Sequence, residues 1–119
     1  MKYMIMIFGD QGTMVESRST EWIRSMMGFM QDLEQEFRGA GEYVDGQGLA
    51  DPTQAKTVRF ENGAPVVTDG PFAEAKESLA GYWILDVGEE RVLEIASRIV
   101  AFIEGPVEVR QVMDAPPEF

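Results

Sequence analysis

Between Lys2 and Phe8, Tyr3, Ile5 and Ile7 alternate with Met4, Met6 and Phe8, so a strand formed here has no polar side to turn to water. The pattern predicts a central strand covered on both faces. From Asp10 to Ser19 the residues become polar and turn-prone, and Ser19 or Thr20 stands where a helix cap is needed, with Glu21 in the first turn. Trp22, Met26, Met30, Leu33 and Phe37 then recur at spacings of four and three, which sets them along one helical face as far as Gly39 and Gly41. A helix is expected over residues 20–38.

Tyr43 and Val44 open a short strand that dissolves into Gly46 and Gly48, and Asp51-Pro52 marks a turn. Val58 and Phe60, then Asn62-Gly63, then Val66 and Val67 predict a β-hairpin, because Asn-Gly readily supplies the two positive φ angles of a type I′ turn. Pro65 cannot donate to a ladder, which places it on an edge. A short helical stretch is expected over residues 73–78, a second buried strand over 82–87, and a second helix over 89–104. That helix carries Val92, Ala96, Ile99 and Ile103 on one side and stops at Gly105-Pro106. The last strand, 107–113, has Val107 and Val109 facing one way and Glu108 and Arg110 the other.

The order β-α-β, hairpin, β-α-β predicts a single α+β domain over residues 1–119, ferredoxin-like, βαββαβ with an inserted β-hairpin and both helices on one face of an antiparallel sheet. Since 2–8 and 82–87 are apolar on both sides, the other face needs cover as well. The same sheet of a second subunit supplies it, which predicts a homodimer with sheets face to face, a dimeric α+β barrel.

Composition narrows the chemistry. The 119 residues contain no cysteine and no histidine. Disulfides, thiolate nucleophiles, imidazole bases and thiolate or imidazole metal sites are thereby excluded, and acid–base work would fall to Asp, Glu, Lys or Tyr with shifted pKa values. The acidic residues show no calcium-loop spacing, so neither a metal nor another cofactor is expected. A formal charge of −11 repels phosphate backbones and anionic lipid, leaving no nucleic acid and no membrane among the expected partners. The six-residue apolar run from Tyr3 to Phe8 is too short for a signal-peptide core or a bilayer span, and the protein is expected in the cytoplasm.

The segment Val67-Thr68-Asp69-Gly70-Pro71-Phe72-Ala73-Glu74-Ala75-Lys76-Glu77, followed by Gly81-Tyr82-Trp83, resembles the signature of the DGPF family, a branch of the YCII-related proteins. The opening Met1-Lys2-Tyr3-Met4 with Gly9-Asp10, and the closing Val107-Glu108-Val109-Arg110 with Val112-Met113, are similar to that family's ends, so the resemblance covers nearly the whole chain. It implies a dimeric ferredoxin-like barrel and leaves the biochemical role open. Many bacterial relatives are encoded beside extracytoplasmic-function sigma factors, which implies an accessory or regulatory link to a sigma factor. Founding YCII-type members resemble enzymes with a His–Asp pair in a cleft, a pair this histidine-free chain cannot form.

Asp69, Gly70, Pro71, Phe72, Glu77, Tyr82 and Arg110 are the candidate ligand-binding residues. In structural terms Asp69 bonds its own following backbone, Gly70 before Pro71 favours extended shapes, Pro71 opens a short helix and Phe72 plugs the core. In functional terms the same turn offers backbone N–H groups and a carboxylate to a cleft. Glu74, Lys76 and Glu77 read either as a solvated face or as base and anion anchor, and only burial would favour the second. Arg110 pairs with a carboxylate such as Asp69 or meets an anionic ligand. Tyr3, Tyr43, Tyr82 and Trp83 suit core, interface or pocket, and Met26, Met27 and Met30 suit a gap-filled core. The reading favoured is a binding or regulatory module for a small molecule. The alternatives are an acid–base enzyme of isomerase or lyase type using Asp69 or Glu77, and a dimer that serves only to bind a protein partner.

Overall fold

A computed structural model describes residues 1–9, 17–72 and 78–116. Of the expected elements, the helical stretch at 73–78 falls, apart from Ser78, outside the described residues, as does Glu77. The strands are β1 (Lys2–Phe8), β2 (Tyr43–Gly48), β3 (Lys56–Glu61), β4 (Ala64–Asp69), β5 (Leu79–Asp86) and β6 (Val107–Gln111). The two long helices are α1 (Thr20–Gly39), between β1 and β2, and α2 (Glu89–Ile103), between β5 and β6. Among the described residues, four strands form one antiparallel sheet in the order β2-β5-β1-β6, and β3 and β4 form a separate two-stranded sheet. The architecture is α+β. No helix among the described residues is long and apolar enough to cross a membrane.

Register explains why β1 and β5 have no polar side. Ile5 lies opposite both Trp83 and Val109, and Tyr3 opposite Leu85, while one residue along Met4 faces Ile84 and Met6 faces Tyr82. Tyr3, Ile5, Trp83 and Leu85 are buried under the helices with Leu33, Phe37, Val92, Ile95 and Ile99. Met4, Met6, Tyr82 and Ile84, on the opposite face, are only half buried. Among the described residues, two-sided hydrophobicity therefore appears as a finished core on one face and a half-buried apolar strip, bordered by Glu108 and Arg110, on the other.

Both helices start and stop where local chemistry directs. Ser19 Oγ accepts from the Trp22 backbone N–H at 3.0 Å, and Gly41 takes a φ of 71° just past the end of α1. Glu104 ends α2 in the left-handed region at φ 55°, with Pro106 close behind to prevent continuation. An ionic clamp then ties these elements together. Arg91 grips Glu42 through Nε at 2.9 Å and reaches Glu36 at 2.9 Å, while Arg98 meets Glu36 at 2.8 Å. The hydrogen bonds from Arg98 and Arg91 hold the Glu36 carboxyl down at about 2, so the clamp stays charged throughout the neutral range.

The hairpin turns as its sequence predicts, with Asn62 at φ 51° and Gly63 at φ 78°. Its position is less conventional. Val58 opposes Val67 and Phe60 opposes Pro65, yet Val58, Phe60 and Val67 are all exposed, because this ribbon stands apart from the main sheet. Pro65 is tolerated since both strands of a two-stranded ribbon are edges. The last strand ends at Gln111, two residues short of expectation, and β5 begins at Leu79, three residues early.

Candidate functional site

A sheet that packs under a helix normally fills the gap with side chains, and at one end of this sheet those side chains are missing. Gly46 lies opposite Trp83 and Gly48 opposite Gly81, so three glycines cluster on the helix-facing side of β2 and β5. Above them passes the first half of α1. Its Trp22, Met26 and Met30 point toward a floor of bare backbone, and a cavity of about 590 Å³ remains, bounded also by Ile7, Trp83 and Ile103. This volume lies within the range of small-ligand pockets, and the lining is largely apolar with a few polar groups, as such pockets generally are.

Each wall is held in place by a specific contact. The space beside Gly46 belongs to the Trp83 indole, since a Cβ built on Gly46 would lie 2.2 Å from Trp83 Cδ1. Trp83 donates Nε1–H to Glu34 Oε1 at 3.2 Å and meets Phe37 edge-on at 5.2 Å between centroids. Opposite, Trp22 leans on Phe102 at 5.9 Å, and Phe102 stacks on Phe29 at 4.6 Å, which fixes α1 to α2. The Arg18 guanidinium lies 4.5 Å from the Trp22 ring centroid, a cation–π arrangement, and makes a 3.6 Å pair with exposed Glu104. Gly48 differs from Gly46, because nothing lies within 4 Å of its would-be Cβ and that direction is open.

Among the described candidate ligand-binding residues, Tyr82 alone borders this cavity, together with Trp83 from the aromatic group. The Tyr82 hydroxyl donates to Asp45 Oδ2 at 2.9 Å, and that bond raises the phenol's pKa above its usual value. Asp69 sits at the end of the hairpin, 86% exposed, and pairs with Lys56. Gly70 is not extended as expected before a proline. It takes a φ of 100°, which side chains rarely adopt, while its N–H bonds Ala55 O at 2.8 Å and its carbonyl accepts from Thr57 Oγ1 at 2.7 Å. Pro71 is exposed. Phe72, expected in the core, is 81% exposed with Arg59 over its ring at 5.3 Å, because the hairpin it follows never joins the core. Arg110 does not reach Asp69. It pairs with Glu108 at 3.0 Å, on the sheet face away from the helices.

The cavity residues that sequence reading missed are Arg18, Glu34, Gly46, Gly48 and Gly81. The glycines carried the available signal, since strands rarely concentrate glycine without a close approach or a gap above it. Trp22, Met26 and Met30 were correctly placed on one face, but that face was read as solid core.

Comparison with known proteins bears out the resemblance to the YCII-related proteins. The sequence model of the YCII-related domain matches residues 1–116. An uncharacterized protein of Rhizobium meliloti (strain 1021) is 30% identical over 86 residues, spanning 72% of this chain and 68% of that protein. The chain belongs to the YCII-related domain family.

Proposed function

We propose that this chain is a small-molecule-binding protein whose ligand lies between α1 and the glycine floor of β2 and β5. The observation that carries the reading is a cavity made by absent side chains and flanked by two indoles, each held by its own partner. A gap left by poor packing would be expected to collapse, at a cost saved of roughly 24 cal/mol for each Å³ of void removed. Here the anchored Trp83 and Trp22 keep it open. The acid–base alternative with Asp69 as base receives less support, because catalysis by a carboxyl near neutral pH needs burial and Asp69 is 86% exposed, while its other candidate base, Glu77, lies outside the described residues.

The test uses the open direction at Gly48. Biphenyl added to the wild-type protein is expected to raise its melting temperature and quench tryptophan fluorescence, whereas Gly48→Leu, whose Cβ enters open space and whose side chain occupies the floor, is expected to fold and to show neither effect. Equal responses from both proteins would remove the ligand from this cavity.

The same proposal includes assembly. The strand order β2-β5-β1-β6 and the helices after β1 and β5 agree with a ferredoxin-like fold, and Met4, Met6, Tyr82 and Ile84 offer an apolar plane to a second copy. Light scattering is expected to give twice the monomer mass for the wild type and the monomer mass for Ile84→Glu. A monomeric wild type at micromolar concentration would refute the dimeric barrel.

A further inference from the structure

The proposed cavity has a direction. Arg18, Trp22, Met26, Met30 and Glu34 follow one another at four-residue steps, so that a cation precedes three apolar side chains and a carboxylate follows them. All five border the cavity. About 18 Å of helix axis separates Trp22 from Glu34. Side chains on a helix lean toward its N-terminus, so Trp22, with the Arg18 guanidinium over its ring, and Glu34 lean alike and the two charged ends stay on the order of 18 Å apart; a hydrogen bond of about 3 Å at each end leaves on the order of 12 Å for a ligand.

Among the described residues, neither charge is saturated. Arg18 carries five N–H donors and its ionic contact is a 3.6 Å approach to Glu104, a carboxylate that is 73% exposed. Glu34 accepts from Trp83 at 3.2 Å and lies 3.7 Å from Arg38, which leaves lone pairs on both oxygens for another donor. The apolar walls between them are an indole, two thioethers and a second indole, surfaces that take flat rings well. A ligand of one sign would satisfy one end and meet repulsion or an unpaired group at the other. A simple anion would also face the chain's charge of −11.

Resting on the reading of this cavity as a binding site, we infer that its ligand class is an elongated aromatic molecule of opposite polarity at its two ends. A carboxylate or strong acceptor meets Arg18, and an ammonium or strong donor meets Glu34. Arg18 and Glu34 then set specificity and orientation, while the apolar trough supplies the bulk of the burial.

A matched series tests this: 4′-(aminomethyl)biphenyl-4-carboxylate, biphenyl-4-carboxylate, 4-(aminomethyl)biphenyl and biphenyl, titrated against wild type, Arg18→Gln and Glu34→Gln and read by tryptophan fluorescence and calorimetry. The zwitterion is expected to bind about tenfold more tightly than either singly charged analogue, since one charge-assisted hydrogen bond is worth about that factor. Arg18→Gln should erase its advantage over 4-(aminomethyl)biphenyl, and Glu34→Gln its advantage over biphenyl-4-carboxylate. In Glu34→Gln the amide oxygen still accepts from Trp83, so the wall is kept. If all four probes bind alike, or if the two variants leave the ranking unchanged, the inference about polarity fails while the cavity remains a binding site. If no probe binds to the wild type, both the inference and the binding reading fail.

Discussion

Phe37→Ala is expected to destabilise the protein by about 3–5 kcal/mol, the range found when a large aromatic is removed from a packed core. Phe37 is completely buried and meets the Trp83 ring edge-on at 5.2 Å, so its loss removes the transfer free energy of a benzyl group and opens a void beside the cavity wall. For a domain of this size the melting temperature should fall on the order of 15 °C. The substitution also frees Trp83 to turn into the vacated space, so the variant is expected to bind cavity ligands weakly even at temperatures where it remains folded. Thermal melts followed by ligand titration at low temperature separate the two effects. A loss of less than about 1 kcal/mol would mean that Phe37 is not the centre of packing between α1 and the sheet.

The second large effect is expected at a residue with no side chain. Gly46→Ala introduces a methyl group whose carbon would lie 2.2 Å from Trp83 Cδ1 and 3.3 Å from Trp83 Cγ. These are atoms near the root of the indole, so rotation of a distant tip cannot relieve the contact. Either Trp83 leaves its position, losing its hydrogen bond to Glu34, or β2 moves away from β5. The cost is expected to be about 2–4 kcal/mol, from overpacking together with the lost hydrogen bond. Gly48→Ala serves as the control, because the corresponding space is empty and the residue lies two positions further along the same strand, opposite Gly81. Chemical denaturation of the pair should show a large loss for position 46 and a small change for position 48. Equal losses would indicate a general need for glycine in β2 rather than a close approach by Trp83.

These two residues also illustrate how much the chain discloses before it is folded. Phe37 belongs to a helical stripe and β1 to a two-sided apolar run, patterns that report burial through the presence of side chains. The ends of both helices and the Asn62-Gly63 turn were equally visible, because capping and positive φ depend on neighbours in sequence. The cavity was not visible in that way. It arises from the coincidence of Gly46, Gly48 and Gly81 on one side of two strands, and Gly81 meets Gly48 only through pairing across 33 positions of sequence. Arg18 and Glu34 are brought to the same trough by α1, yet taken singly each looks like an ordinary surface charge.

The motif from Asp69 to Phe72 drew attention because it resembles a family signature, and the structure gives its described part a local task. Gly70 turns the chain at the hairpin's end with a φ that excludes other residues, and Asp69 closes the hairpin by pairing with Lys56. The expected burial of Phe72 presumed that the hairpin would lie on the core. Sequence specifies the turn of a hairpin strongly and its docking weakly, since Val58, Phe60 and Val67 would read the same against a core, a partner or solvent.

The central claim is that a small molecule binds beneath the first half of α1. A two-dimensional ¹H–¹⁵N spectrum recorded during titration with 4′-(aminomethyl)biphenyl-4-carboxylate tests it most directly, because the chain's two tryptophans, Trp22 and Trp83, stand on opposite walls of the cavity and each contributes one indole N–H signal. The account predicts that both indole signals and the amides of Gly46, Gly48 and Gly81 shift together and saturate at one ligand concentration. Unmoved indole signals, with the shifts gathered instead around Asp69 and Gly70 or around Arg110, would contradict it.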